Sequence, residues 1–274
     1  MTYKTILVHL QLAHPHAALL DLAARLGDRF EARLVGVAAF EPLQTMIAEG
    51  CASGALIAGK IDQLRRETAV AERAFHAALG ARPAGVAWHA SSGGVSIADH
   101  VVQLARGADL VLTDTAPGGL FDTQRHMQLS ELLMRAGRPV LIVPAPAAPL
   151  PLAHALVAWD DSRACRRALS DALPLLGAAA RVSVVQVAHS EDHAALSAQL
   201  GQVVDWLRSH GVMARALLLP ADGTPPPLVA IALGQACDLI VAGAYGHSRL
   251  REWALGGVTR ALVEQQQLAV LLSH

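Results

Sequence analysis

Asp238-Leu-Ile-Val-Ala-Gly-Ala-Tyr-Gly246, nine further residues and then Gly256-Gly-Val-Thr-Arg-Ala-Leu-Val-Glu264 join an apolar strand to a helix through spaced glycines. Glycine at a strand-to-helix junction lets backbone N–H groups come close to an anion, and the first N–H groups of a helix point outward without partners. Gly243 and Gly246 would shape the turn. Gly256, Gly257 and Val258 would offer N–H groups, and Thr259 a hydroxyl. His247, Ser248 and Arg249 lie on the arm within reach of outer phosphates. A plain structural turn before a glycine-started helix satisfies the same spacing, so from these residues alone both readings stand.

Working outward, the chain is a repeat. Thr5-Ile-Leu-Val-His-Leu10 and Ala155-Leu-Val-Ala-Trp159 are strands that each lead into a helical segment. Asp109-Leu-Val-Leu-Thr113 matches Asp238-Leu-Ile-Val-Ala242, and Pro139-Val-Leu-Ile-Val143 matches Ala269-Val-Leu-Leu272. Repeat detection resets the domain count before any fold is assigned. Between the halves, Pro144-Ala-Pro-Ala-Ala-Pro-Leu-Pro151 sustains neither helix nor strand. The expected domains are therefore 1–146 and 152–274. Short apolar strands are predicted at 4–10, 33–39, 85–90, 109–113 and 139–143, and again at 155–159, 182–187, 214–219, 238–242 and 268–272. Helices between them predict parallel α/β sheets covered on both faces, with ligands at the carboxyl ends of the strands.

Composition narrows the functional classes. Net charge is −1 with His neutral, and aromatic residues make up 4% of the chain. Neither supports a nucleic-acid partner. No stretch approaches the roughly 20 apolar residues of a membrane span. The three cysteines, Cys51, Cys165 and Cys237, lie far apart and read as free buried thiols. With a strand starting almost at the first residue, cytoplasmic localisation is the expectation. The 13 histidines are scattered, which argues against a metal site.

At the end of the second half's first strand stands Trp159-Asp160-Asp161-Ser162. Asp160 faces the ligand crevice and is suited to ribose hydroxyls. Capping of the following helix competes for the same residues, and Ser162 is the better N-cap. The first half departs here. Gln11 takes the place of Asp160, Asp114 that of Gly243 and Pro117 that of Gly246, while Arg125-His-Met-Gln-Leu-Ser130 replaces the glycine pair. Ser91-Ser-Gly-Gly-Val-Ser96 reads as a capped helix start rather than a nucleotide loop.

Asp160 followed by Gly243-x2-Gly246-x9-Gly256 resembles the universal stress protein family, and the resemblance covers both halves. It implies two tandem open parallel five-stranded α/β sandwiches of strand order 3-2-1-4-5, an adenine nucleotide alpha hydrolase-like fold. It also implies ATP, with or without Mg2+, in the second half. Ala158, Trp159 and Asp160 would contact adenosine, and Val187 would lie near the adenine pocket. The family's ATP binders carry Ser or Thr where this chain has Gly257, so one hydroxyl contact is missing. Family domains pair through their final strands, which implies an internal pseudo-dimer through 139–143 and 268–272, with a homodimer as a further state. The expected protein is a cytoplasmic stress-response protein that binds an adenine nucleotide in its second domain and uses its first as a scaffold. A scaffold or sensor without nucleotide is the alternative. No catalytic set is apparent, and slow ATP hydrolysis stays open.

Overall fold

A computed structural model describes residues 2–41, 54–91, 95–115, 124–145, 149–188, 193–220, 227–245 and 257–274. In the first half the strands are β1 (Thr5–His9), β2 (Arg33–Ala39), β3 (Val86–Ser91), β4 (Leu110–Thr115) and β5 (Val140–Pro144). Its described helices are α1 (Ala17–Phe30), α2 (Gly54–Leu79), α3 (Ile97–Ala105) and α4 (Leu129–Arg135). The second half contains β6 (Ala155–Ala158), β7 (Val182–Ala188), β8 (Ala214–Pro220), β9 (Leu239–Gly243) and β10 (Ala269–Ser273). Its described helices are α5 (Arg163–Asp171), α6 (Leu173–Ala178), α7 (His193–Ser209), α8 (Leu228–Gly234) and α9 (Gly257–Glu264).

Two compact units emerge. One comprises Tyr3–Ala136 with Ala145–Ala148; the other comprises Pro149–His274 with Gly137–Pro144 and Met1–Thr2. The first unit holds four parallel strands in the order β3-β2-β1-β4. The other has the order β8-β7-β6-β9-β10, parallel throughout, which is the expected 3-2-1-4-5. β5 lies antiparallel against β10, with Ile142 opposite Val270 and Leu141 opposite Leu271. That pairing carries Gly137–Pro144 into the second unit.

Of the apolar strands that signalled parallel sheets, β4, β5 and β10 are buried throughout, whereas the edge strand β3 exposes His89 and Ala90 and the edge strand β8 exposes Arg215 and Ala216. Ser162 caps α5 by accepting from the Cys165 amide at 3.1 Å, and Ser96 caps α3 through the Asp99 amide at 2.9 Å. The helical segment after β6 is two helices. Pro174 has no N–H to donate back along the chain, so α5 stops at Asp171 and α6 opens with the proline in its first turn.

The duplicated Asp-Leu signature has a structural cause. The Asp109 carboxylate accepts from the amides of Lys4 and Thr5, at 2.7 and 3.0 Å, just as β1 begins. Asp238 accepts from Ala153 and His154, at 2.7 and 3.3 Å, ahead of β6. Each aspartate also donates its own amide to the neighbouring strand, Asp109 to Thr5 O and Asp238 to His154 O. These bonds fix where the first and fourth strands of each repeat come level. We expect Asp238→Ala to lower unfolding free energy by about 1–2 kcal/mol, through amides left without an acceptor. Urea denaturation measures it, and an unchanged midpoint would remove the clamp from this account.

Candidate functional site

In the second unit β6 and β9 are neighbours, and their connections leave the sheet in opposite directions. Their carboxyl ends therefore form the switch-point crevice in which doubly wound sheets hold ligands. Ala158 ends β6, and the Trp159 amide continues the ladder to Val185 O at 2.8 Å. Trp159 is buried and Asp160 exposed. Asp160 Oδ1 accepts from the Ser162 amide at 2.9 Å, so the carboxylate shapes the turn into α5. Asp161 has φ 57°, a left-handed conformation that Asp tolerates better than most side chains. Val187 lies half-buried near the end of β7, two residues beyond Val185, the partner of Ala158.

Gly243 ends β9, and its role is set by packing. A Cβ there would stand 2.5 Å from the Cys165 nitrogen and 2.7 Å from the Ala164 carbonyl carbon. The first turn of α5 lies directly on the strand, and only glycine fits beneath it. The Cys165 thiol donates to Ala158 O at 3.1 Å, and burial pushes its pKa up to about 12, so it is no nucleophile. Gly257 opens α9 with open space around it. Val258 is exposed, and Thr259 turns inward and is buried. Gly246, His247, Ser248 and Gly256 lie outside the described residues. The structure thus brings Ala158, Trp159, Asp160 and Gly243 together around the start of α5.

At the corresponding crest of the first unit the chemistry is inverted. Asp114 is 5% exposed, and its Oδ1 has no hydrogen-bond partner among the described residues. Burial raises its pKa to about 6. Gln11 Nε2 donates to Asp114 O at 2.6 Å, while Gln11 Oε1 accepts from His126 Nδ1 at 2.7 Å. His126 stands edge-on to His14, with ring centroids 5.4 Å apart. Arg125 grips Glu67 through two bonds, Nε to Oε2 at 2.8 Å and Nη2 to Oε1 at 2.9 Å. His9 Nδ1 lies 3.0 Å from Thr113 Oγ1, and burial holds that imidazole's pKa down to about 3, with lesser contributions from His16, His126 and His100. His16 is held at about 4 by burial and by His14. Sequence reading identified Gln11 and Asp114 as departures but gave no sign of this network, whose partners are more than 100 positions apart. Among the described residues no group of three or more His, Cys, Asp or Glu side chains is arranged for a metal ion. No described helix is long and apolar enough to cross a membrane.

An open, doubly wound α/β architecture repeated in tandem is the class these strand orders define. No family model and no curated protein matches the sequence. Solved structures do. A universal stress protein from Archaeoglobus fulgidus DSM 4304 aligns at TM-score 0.70 and 12% identity, covering 98% of this chain and 95% of its own. A protein assigned to the universal stress proteins from Pseudomonas aeruginosa UCBPP-PA14 follows at TM-score 0.66 and 16% identity, covering 99% and 93%. A functionally unknown protein from Pseudomonas aeruginosa PAO1 aligns at TM-score 0.60 and 15% identity, over 99% and 92%. The chain has the fold of a tandem universal stress protein.

Two predictions follow from the crests. Gly243→Ala should destabilise the second unit by about 1–3 kcal/mol through overpacking against α5, whereas Gly257→Ala should be neutral or stabilising. Thermal melts of the two variants check this, and equal effects would contradict it. The second prediction concerns pH. Asp114 has a raised folded-state pKa, so its contribution to stability is full below the unfolded value near 3.8 and is lost as pH rises through about 6. His9 and His16 have lowered values, so theirs is full above 6.5 and is lost as pH falls toward about 3 and about 4. Asp114→Asn should therefore gain on wild type at pH 8 relative to pH 4, by up to about 3 kcal/mol. Melts at the two pH values measure it, and a pH-independent difference would refute it.

Proposed function

We propose that this chain is a stress-response protein that binds an adenine nucleotide, ATP with or without Mg2+, at the crest of β6 and β9, and that the first unit does not share this ligand. The observation that carries the proposal is the contrast between the two crests. One combines Gly243, an exposed Asp160 and the N-terminus of α9 at Gly257. The other puts a buried carboxyl, Asp114, in the position of Gly243. A carboxylate repels phosphate, and a helix N-terminus attracts it. In this proposal Ala158, Trp159 and Val187 meet the adenosine, Asp160 the ribose, and Gly243, Gly246, His247, Ser248, Gly256, Gly257, Val258 and Thr259 form the phosphate arm. Binding, not turnover, is the function, and the protein acts in the cytoplasm.

Calorimetry with ATP tests the site. Saturable binding is expected for wild type, with loss of about tenfold or more for Asp160→Ala and complete loss for Gly256→Trp. No heat at about 1 mM ATP would overturn the proposal and favour a scaffold without nucleotide. Release of phosphate over hours would favour a slow ATPase. The antiparallel pairing of β5 with β10 supports an internal pairing of the final strands of the two repeats. A solution mass near 28.7 kDa is then expected by light scattering, and a stable doubled mass would instead indicate a homodimer.

A further inference from the structure

The turn that leaves β6 is gripped from α5. Asp161 stands at φ 57°, and the peptide group joining it to Ser162 is hydrogen-bonded at both ends. Its N–H, on Ser162, donates to Asp160 Oδ1 at 2.9 Å. Its C=O, on Asp161, accepts from Arg166 Nη2 at 2.9 Å. Arg166 Nε also donates to Asp161 Oδ1 at 3.0 Å, so one guanidinium holds the side chain and the carbonyl of the same residue. A planar fork on two oxygens of one residue sets the plane of the peptide between them. A carbonyl that accepts from a cation also polarises its peptide, which strengthens the N–H as a donor. Arg166 and the Asp160 carboxylate are thus coupled through one rigid group.

Stability does not account for the arrangement. Arg166 lies in the first turn of α5, behind Arg163 and with no acidic residue in that turn. Cations are disfavoured at a helix N-terminus. The Arg166 and Asp161 side chains are 61% and 54% exposed, so solvent screens their attraction. The first unit supplies a contrast. The Leu10 amide bonds Val37 O as the Trp159 amide bonds Val185 O, which puts Gln11 level with Asp160 and Leu12 level with Asp161. Leu12 is fully buried and offers no carboxylate to an arginine. The grip accompanies the acid: it occurs in the unit whose first strand leads into Asp160.

We propose that Arg166 is a positioning residue, which acts through the Asp161–Ser162 peptide to hold the Asp160 carboxylate in the orientation that receives ribose hydroxyls. This rests on the adenine-nucleotide reading above and adds to it the group that orients its acid. The test uses the whole chain with Arg166→Ala, an exposed position whose variant should fold, as a thermal melt checks. In ligand-free, nitrogen-15-labelled protein the Ser162 amide of this variant should exchange with solvent about tenfold faster than in wild type, while the Trp159 amide in the β-ladder keeps its rate. By calorimetry, ATP and adenosine should each bind Arg166→Ala about fivefold more weakly, because the loss belongs to the ribose they share. Adding Arg166→Ala to Asp160→Ala should cost nothing further, since no carboxylate remains to be positioned. An unchanged Ser162 exchange rate would overturn the proposal, as would unchanged affinity. Losses that add in the double variant, or a loss for ATP that adenosine does not share, would also overturn it by placing Arg166 on the phosphates. If wild type binds neither ATP nor adenosine, the nucleotide reading falls and the ribose role falls with it. Ser162 exchange in the variant separates that outcome from a failure of the positioning itself.

Discussion

Two carboxylates at the foot of the sheets govern what happens at their crests. Asp109 ties β4 to the start of β1, and Asp238 ties β9 to the start of β6. In a parallel pair a slip of one residue turns every side chain to the opposite face. With the feet locked, Ile6 stands opposite Leu110 and Leu156 opposite Ile240. The crest residues then have no choice of neighbour. His9 meets Thr113, Gln11 meets Asp114, and Gly243 comes under the first turn of α5.

On this shared frame the two crests differ in the polar groups they carry. Gly243 admits a helix start to van der Waals contact, and the Asp160 carboxylate accepts from the Ser162 amide while staying exposed. In the first unit the corresponding glycine is a carboxyl whose burial disfavours its charge, and the corresponding acid is an amide bonded on both sides. Arg125 is bidentate with Glu67. Polar groups that satisfy one another specify a rigid interior, and those left open specify a site. By that criterion the first crest has largely turned inward, with Asp114 Oδ1 the exception.

Much of this was legible in the sequence because the signals were local. Apolar runs gave the strands, the repeated Asp-Leu signature gave the duplication, and Ser96 and Ser162 marked helix starts that the structure capped in just that way. What escaped depended on distant neighbours or on a choice between faces. Gly243 looked like a turn residue, and its crowding by Ala164 and Cys165 requires knowing that α5 crosses β9. On α7 the 199-202-203-206 stripe and the 200-204-207 stripe both have helical spacing, and only packing shows which one meets the sheet. β5 is legible as a strand, but its pairing with β10 gives it to the other unit, which no composition shift near the proline linker could show.

The head of the glycine arm shows how the fold prepares the second crest. Tyr245 has φ 62°, where a bulky side chain costs about 1–2 kcal/mol, and glycine would sit there without penalty. The conformation is held from several sides. The Ala244 amide donates to Ser273 O at 2.8 Å, His274 Nδ1 lies 3.0 Å from Ala244 O, and the Tyr245 ring meets His274 edge-on at 5.8 Å. Among the described residues the buried Tyr245 hydroxyl meets no hydrogen-bond partner. A chain that places tyrosine at this φ has its first turn after β9 imposed by β10 rather than by local preference. The turn at Ala244 and Tyr245 is therefore held by the same strand that pairs with β5, so the end of β9 and the pairing of the two final strands rest on one element.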